Sequence, residues 1–172
     1  ISSPGFKDYL PREYDYLVSH NFDYNVACSV LKDSLPLWKA GPVIDVLTIG
    51  YIRNYDSNVR IIQVLGGDSG YRLKFVGRGD AASALECYAQ ANRLDNVEFS
   101  GFYEKMDEAM IVGACDFINI FFPNDVAHSA IMSNRFYLAL IHKKPVIVTE
   151  GSVQAAFVKE YGLGVVTDGG EG

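Results

Sequence analysis

Arg53, Arg78 and Arg135 are the side chains best suited to chemistry here, because each falls in or just after a segment that follows an apolar run. A guanidinium carries a full positive charge and a planar fork of N–H donors, the combination that phosphate oxygens need. Any one of the three, taken alone, reads as an ordinary solvated arginine; three at such positions in a chain of net charge −6 point to a local anion site. Ser133-Asn134-Arg135-Phe136 is the strongest single motif. Ser133 can cap a helix, leaving other first-turn N–H groups facing outward at the positive end of the helix dipole. An anion settles readily at such an end, and Arg135 adds a formal charge. A capped helix with an exposed arginine explains the same residues without a ligand, so the motif by itself leaves both readings open.

Glycine recurs beside these arginines. The segments that follow the apolar runs read Gly50-Tyr51-Ile52-Arg53, Gly77-Arg78-Gly79, Gly101-Phe102-Tyr103, Phe122-Pro123-Asn124 and Glu150-Gly151-Ser152. A glycine lets the backbone turn sharply or approach a ligand closely. Short turns explain any one of them; their recurrence favours a ligand-binding edge.

Other chemistries find less support. Val76-Gly77-Arg78-Gly79-Asp80 falls short of the GxGxxG dinucleotide fingerprint, and neither a P-loop lysine motif nor a Gly-x-Ser-x-Gly elbow is present. His20, His128 and His142 show no ligand spacing and are expected at the surface or an interface, with His20 facing a cleft if the lead-in runs along one. Cys28, Cys87 and Cys115 are widely separated and form no CxxC pair. They read as small buried residues in a reducing compartment, and no metal site is expected. No residue can be assigned a catalytic role from its type and spacing alone.

The elements that would position these residues alternate strand and helix from Val43 onward. Strands are expected over 43–49, 72–76, 97–99, 116–122, 145–149 and 164–166. Helices are expected over 56–65, 81–94, 105–114, 133–141 and 152–161. Met106, Ala109, Met110 and Gly113 line one side of the third helix, and Phe136, Ala139 and Leu140 form the buried stripe of the fourth. Near-continuous apolar strands imply cover on both faces. The expected fold class is therefore α/β: a Rossmann-like, doubly wound parallel sheet with helices on both faces. Its ligand site belongs outside the carboxyl ends of the strands. Residues 1–42 are irregular apart from a short extended piece at 16–19, and read as a lead-in or interdomain segment; residues 43–172 form the domain.

A hydrophobic share of 49% and a charged share of 21% suit a globular domain, and 172 residues suffice for one core. The acidic balance disfavours a broad grip on nucleic acid. No apolar run approaches the ~20 residues that a membrane-spanning helix requires. A start at Ile1 and a stop at Gly169-Gly170-Glu171-Gly172 suggest an excerpt of a longer protein.

Taken in order, the motifs resemble the C-terminal domain of GT-B-fold glycosyltransferases that build bacterial surface polysaccharides. The stretches that carry the likeness begin with Leu47-Thr48-Ile49-Gly50, Lys74-Phe75-Val76-Gly77-Arg78-Gly79 and Asn96-Val97-Glu98-Phe99-Ser100-Gly101. Ala114-Cys115-Asp116-Phe117-Ile118, Ser133-Asn134-Arg135-Phe136-Tyr137 and Lys144-Pro145-Val146-Ile147 follow. The resemblance runs from Val46 to Val166. It implies a nucleotide-binding domain whose donor substrate is a nucleoside-diphosphate sugar, with no separate cofactor. By the same resemblance, Gly50 and Arg53 approach the diphosphate, Asn134 and Arg135 meet the phosphates at the helix start, and Gly101-Phe102-Tyr103 borders the base. It further implies an N-terminal domain preceding this one, and a glycan or lipid-linked acceptor. The protein is then expected in the cytoplasm, with the inner face of the membrane open to the full-length chain. One departure stands out: a pair of glutamates that contacts sugar and ribose in many members falls here on Ala130 and Leu138. Two other readings stay open, a non-catalytic α/β interaction module and a nucleotide-sugar epimerase of the same fold.

Overall fold

The computed structural model describes residues 2–22, 24–25, 27–28 and 41–168. The expected lead-in over 1–42 lies partly outside these residues, and the closing Gly169–Gly172 wholly so. Among the described residues six strands form one parallel sheet: β1 (Ile44–Ile49), β2 (Tyr71–Val76), β3 (Val97–Ser100), β4 (Phe117–Ile120), β5 (Val146–Thr149) and β6 (Gly164–Thr167). Their spatial order is β3-β2-β1-β4-β5-β6. The chain thus winds outward from β1 in one direction, then crosses back to build the other half from β4. The helices are α1 (Tyr55–Leu65), α2 (Ala82–Ala91), α3 (Glu108–Gly113), α4 (Val126–Ser129), α5 (Asn134–Ile141) and α6 (Val153–Tyr161).

Side-chain alternation along the strands divides the core into two layers. Leu47, Ile49, Ile118 and Ile120 pack on one face with Val112 of α3, Phe136 and Ala139 of α5, and Ala155 and Val158 of α6. Val46, Leu73 and Phe75 pack on the other with Ile61 and Ile62 of α1 and Leu85 of α2. Both faces are covered, as the apolar strands require, so the doubly wound α/β architecture expected from the sequence is the one observed. Two buried polar residues of the sheet are paired across strands. Fully buried Asn119 of β4 donates through Nδ2 to Thr48 Oγ1 of β1 at 2.9 Å, and its Oδ1 accepts from Phe121 N–H. Asp45, buried on β1, accepts from Arg72 Nε and Nη2 of β2 at 2.5 and 2.9 Å. The Asn119 bond ties β4 to β1 toward the carboxyl ends, where a ligand edge would form, and the Asp45 pair ties β1 to β2 at the opposite, amino end.

Several local expectations are corrected. Residues 16–19 form no strand. The helix expected over 105–114 opens as a 3-10 turn, Lys105–Asp107, before α3 begins. Met106 and Met110, on its expected apolar side, are 85% and 70% exposed, because the core takes the opposite side through Ile111 and Val112. On α5 Leu140 points outward and Ile141 is buried in its place. His142 is buried rather than superficial, and Cys87 is exposed while Cys115 is buried.

Candidate functional site

The sheet order reverses between β1 and β4, and loops leaving adjacent strands in opposite directions must open a crevice there. A cleft of ≈ 700 Å³ occupies this place. Its floor is the end of β1 with Gly50, Tyr51 and Arg53; one wall is Phe122 and His128 after β4, and another is Tyr103 and Glu108 after β3. Ser133, Asn134 and Arg135 bring the start of α5 to it, and Asn21 and Phe22 of the lead-in close a side.

The local sequence explains why α5 starts here. Ser133 has extended backbone, and its Oγ accepts from Phe136 N–H at 3.2 Å, a side-chain cap. The same hydroxyl donates to the buried Gln154 Oε1 at 2.8 Å, so the cap is anchored to α6. The N–H groups of Asn134 and Arg135 begin the helix and have no intrahelical acceptor by construction. They face the cleft end with the positive pole of the dipole.

Arg135 turns back across the crevice. Its Nε donates to Ile49 O at 2.5 Å and its Nη2 to Tyr51 O at 2.8 Å. Burial, with the charge of Arg53 nearby, lowers its pKa to about 10. A desolvated guanidinium therefore stands near a second, exposed one, an arrangement that is costly alone and relieved by an anion. Arg53 itself lies over the Tyr51 ring at 5.0 Å, and Arg135 lies 5.8 Å from the centre of the Phe122 ring.

Of the residues singled out in the sequence, Gly50, Arg53, Tyr103, Ser133, Asn134 and Arg135 meet in this cleft. Gly77, Arg78, Gly101 and Phe102 are not among its lining residues. Arg78 instead lies over the Phe102 ring at 5.1 Å. Gly77 serves packing: at φ +135°, a Cβ on it would stand 2.0 Å from Gly50 O. Gly101 has nothing within 4 Å of the corresponding position.

Other lining residues gave no signal of their own in the sequence. Glu108 opens a helix among several acidic residues. His128 sits in the short α4, with Nδ1 at 2.7 and 2.8 Å from the Asp125 carboxylate oxygens and Nε2 3.5 Å from Asn54 Nδ2. Tyr137 was visible only as the last residue of the Ser133-Asn134-Arg135-Phe136-Tyr137 stretch, with no role of its own; its hydroxyl is 2.6 Å from His20 Nδ1, and its ring meets Phe22. Asn21 Nδ2 donates to Asn134 Oδ1 at 3.1 Å, so the lead-in does run along the cleft. It is anchored there by Ser3 Oγ, which donates to Ala130 O at 2.5 Å. Ala130 is buried in that contact, and Leu138 lines the cleft with a side chain unable to hydrogen-bond. Among the described residues no group of three or more His, Cys, Asp and Glu side chains converges as a metal ion would require.

No family model and no curated protein sequence matches the chain. Solved structures do. HepE of Anabaena, in complex with UDP-glucose, superposes with a TM-score of 0.60 at 21% identity, over 88% of this chain and 43% of that one. The lipopolysaccharide outer core galactosyltransferase WaaB in its apo form gives 0.58 at 12% identity, over 79% of this chain and 38% of that one. TarM gives 0.61 at 12% identity, over 93% of this chain and 31% of that one. The chain thus has the fold of one part of GT-B glycosyltransferases. It spans less than half the length of each of these structures.

Proposed function

We propose that this chain is the donor-binding part of a glycosyltransferase and holds a nucleoside-diphosphate sugar in the cleft between β1 and β4. The observation that carries this reading is the convergence of Arg53, Arg135 and the first turn of α5 on one crevice, in a chain that is otherwise acidic. HepE, of the same fold, was solved with UDP-glucose bound, which supports the choice of ligand class. In this reading the diphosphate takes the N–H groups of Asn134 and Arg135 and the guanidinium charges, with the Gly50 backbone beside it. Tyr103 borders the nucleoside.

Transfer breaks the bond between the anomeric carbon of the sugar and the diphosphate oxygen, so negative charge accumulates on the departing diphosphate. Groups already fixed toward that charge stabilise the transition state more than the ground state. Arg135 is so fixed, because two backbone carbonyls hold its guanidinium before any ligand arrives. The acceptor, a glycan or a lipid-linked saccharide, is then bound largely by another domain of the whole protein. This chain alone binds donor and transfers nothing.

Calorimetric titration of the 172-residue chain with UDP and with GDP tests the reading. Saturable binding of either nucleotide is expected. No binding of either up to millimolar concentration, with no shift in melting temperature, would overturn it.

A further inference from the structure

Among the described residues Glu108 is the one carboxylate that lines the cleft, and nothing above uses it. It stands at the first position of α3, with 13% of its side chain exposed. Tyr103 Oη donates to Glu108 Oε2 at 3.3 Å, and Lys105 Nζ, largely exposed, pairs with Oε1. An ionised carboxylate offers about four lone-pair sites, so two single contacts leave acceptor capacity on both oxygens. The cleft is in this way polarised: guanidinium groups and helix N–H donors at one end, an oriented acceptor at the other.

A nucleoside diphosphate is polarised in the opposite sense. Its phosphates need donors, while the two ribose hydroxyls, a short distance from the first phosphate, are donors that need an acceptor. Tyr103 supplies the scale. Its hydroxyl lies 4.0 Å from where a Cβ on Gly50 would sit, beside the phosphate end, and it also touches Glu108. Its pKa is raised by burial and by the charge and hydrogen bond of Glu108, which keeps the phenol protonated as the donor in that contact. A carboxylate reached from the Gly50 end through that single hydroxyl matches the span from a phosphate to the hydroxyls of its own ribose. Leu138, also in the cleft, offers no competing acceptor.

We infer that Glu108, oriented by Tyr103 and Lys105, accepts hydrogen bonds from the ribose hydroxyls and makes the cleft selective for ribonucleotides. This rests on the donor-binding reading above and assigns the acceptor within it. The test is titration of the same chain, its Glu108→Ala variant and its Glu108→Gln variant with UDP and 2′,3′-dideoxy-UDP, and with GDP and 2′,3′-dideoxy-GDP. The unsubstituted chain is expected to prefer the ribonucleotide by roughly ten- to a hundredfold, the range for hydrogen bonds to a charged group. Glu108→Ala should abolish that preference while leaving affinity for the dideoxy form within a few-fold. Glu108→Gln, which keeps shape and one acceptor oxygen, should retain part of it, and it carries the test if melting shows the alanine variant unfolded. A preference undiminished in the variants, or no preference in the unsubstituted chain, overturns the role of Glu108 alone. Failure of the unsubstituted chain to bind either ribonucleotide overturns the donor-binding reading, and the ribose contact with it.

Discussion

Arg135, at the start of α5, donates from Nε to the carbonyl oxygen of Ile49 at 2.5 Å, although 86 residues separate them. Ile49 ends β1 and Arg135 lies in the first turn of α5, the second helix after β4, so the bond spans the place where the sheet changes direction. One guanidinium thereby ties the two halves of the crevice together and still has donors left for an anion.

Replacing Arg135 therefore separates charge from geometry. Arg135→Ala is expected to weaken UDP or GDP binding by about 1.5–3 kcal/mol, the range for charge-assisted hydrogen bonds. Arg135→Lys should recover only part, since a single ammonium cannot hold two carbonyls and a phosphate in one plane. Calorimetry on both variants decides; an unchanged affinity in Arg135→Ala removes the residue from the site.

The depressed pKa of Arg135 gives a pH dependence. In the free protein its guanidinium loses its proton near pH 10, mainly because of burial and then because of Arg53. A bound diphosphate favours the protonated form and raises that value. Affinity should thus be indifferent to this group between pH 7 and 9, and should fall as pH rises above about 10. The fall should be missing in Arg135→Ala, which isolates the group from other bases titrating in the same range.

Gly77 is predicted to be a packing residue. Gly77→Ala places a methyl group 2.0 Å from Gly50 O at φ +135°. The expected cost is about 2–4 kcal/mol of folding stability, from strain and a forced shift of the β1 loop. Gly101→Ala, with open space around it, should change stability by less than about 0.5 kcal/mol. Denaturant midpoints for the two variants provide the comparison; equal effects would show that the close approach to Gly50 does not matter.

His142 is buried with no hydrogen-bond partner for Nε2. Burial holds its pKa below the usual value, followed by opposing effects of Glu108, which raises it, and of Lys144 and Lys105, which lower it. The folded chain keeps this ring neutral while the unfolded chain protonates it near pH 6.5, so stability is lost as pH falls below about 6.5. His142→Leu should flatten stability against pH between about 6.5 and 5 and raise it at neutral pH by roughly 1 kcal/mol. Urea unfolding at several pH values measures both effects.

The sequence by itself determined the fold class and the edge on which to look. Apolar strands ending in glycine, each followed by a helical stripe, permit few arrangements other than a parallel sheet covered on both faces. Ser133 specified its own helix start, because a cap is a contact over three residues. Local pattern could not decide which loops would meet. Gly77-Arg78 and Gly50-Tyr51-Ile52-Arg53 look alike as strand-ending segments. Only the strand order β3-β2-β1-β4-β5-β6 sets the latter beside α5 and leaves the former outside the cleft lining. Glu108, His128 and Tyr137 were illegible for the same reason. Their roles depend on partners far away in the chain or on a cavity formed by several loops, and charge or burial at such a place is a property of the packed whole. The outward turn of Met106 and Met110 has a like cause: a helix with apolar residues on two sides is oriented by the sheet it packs against, and the core chose Ile111 and Val112.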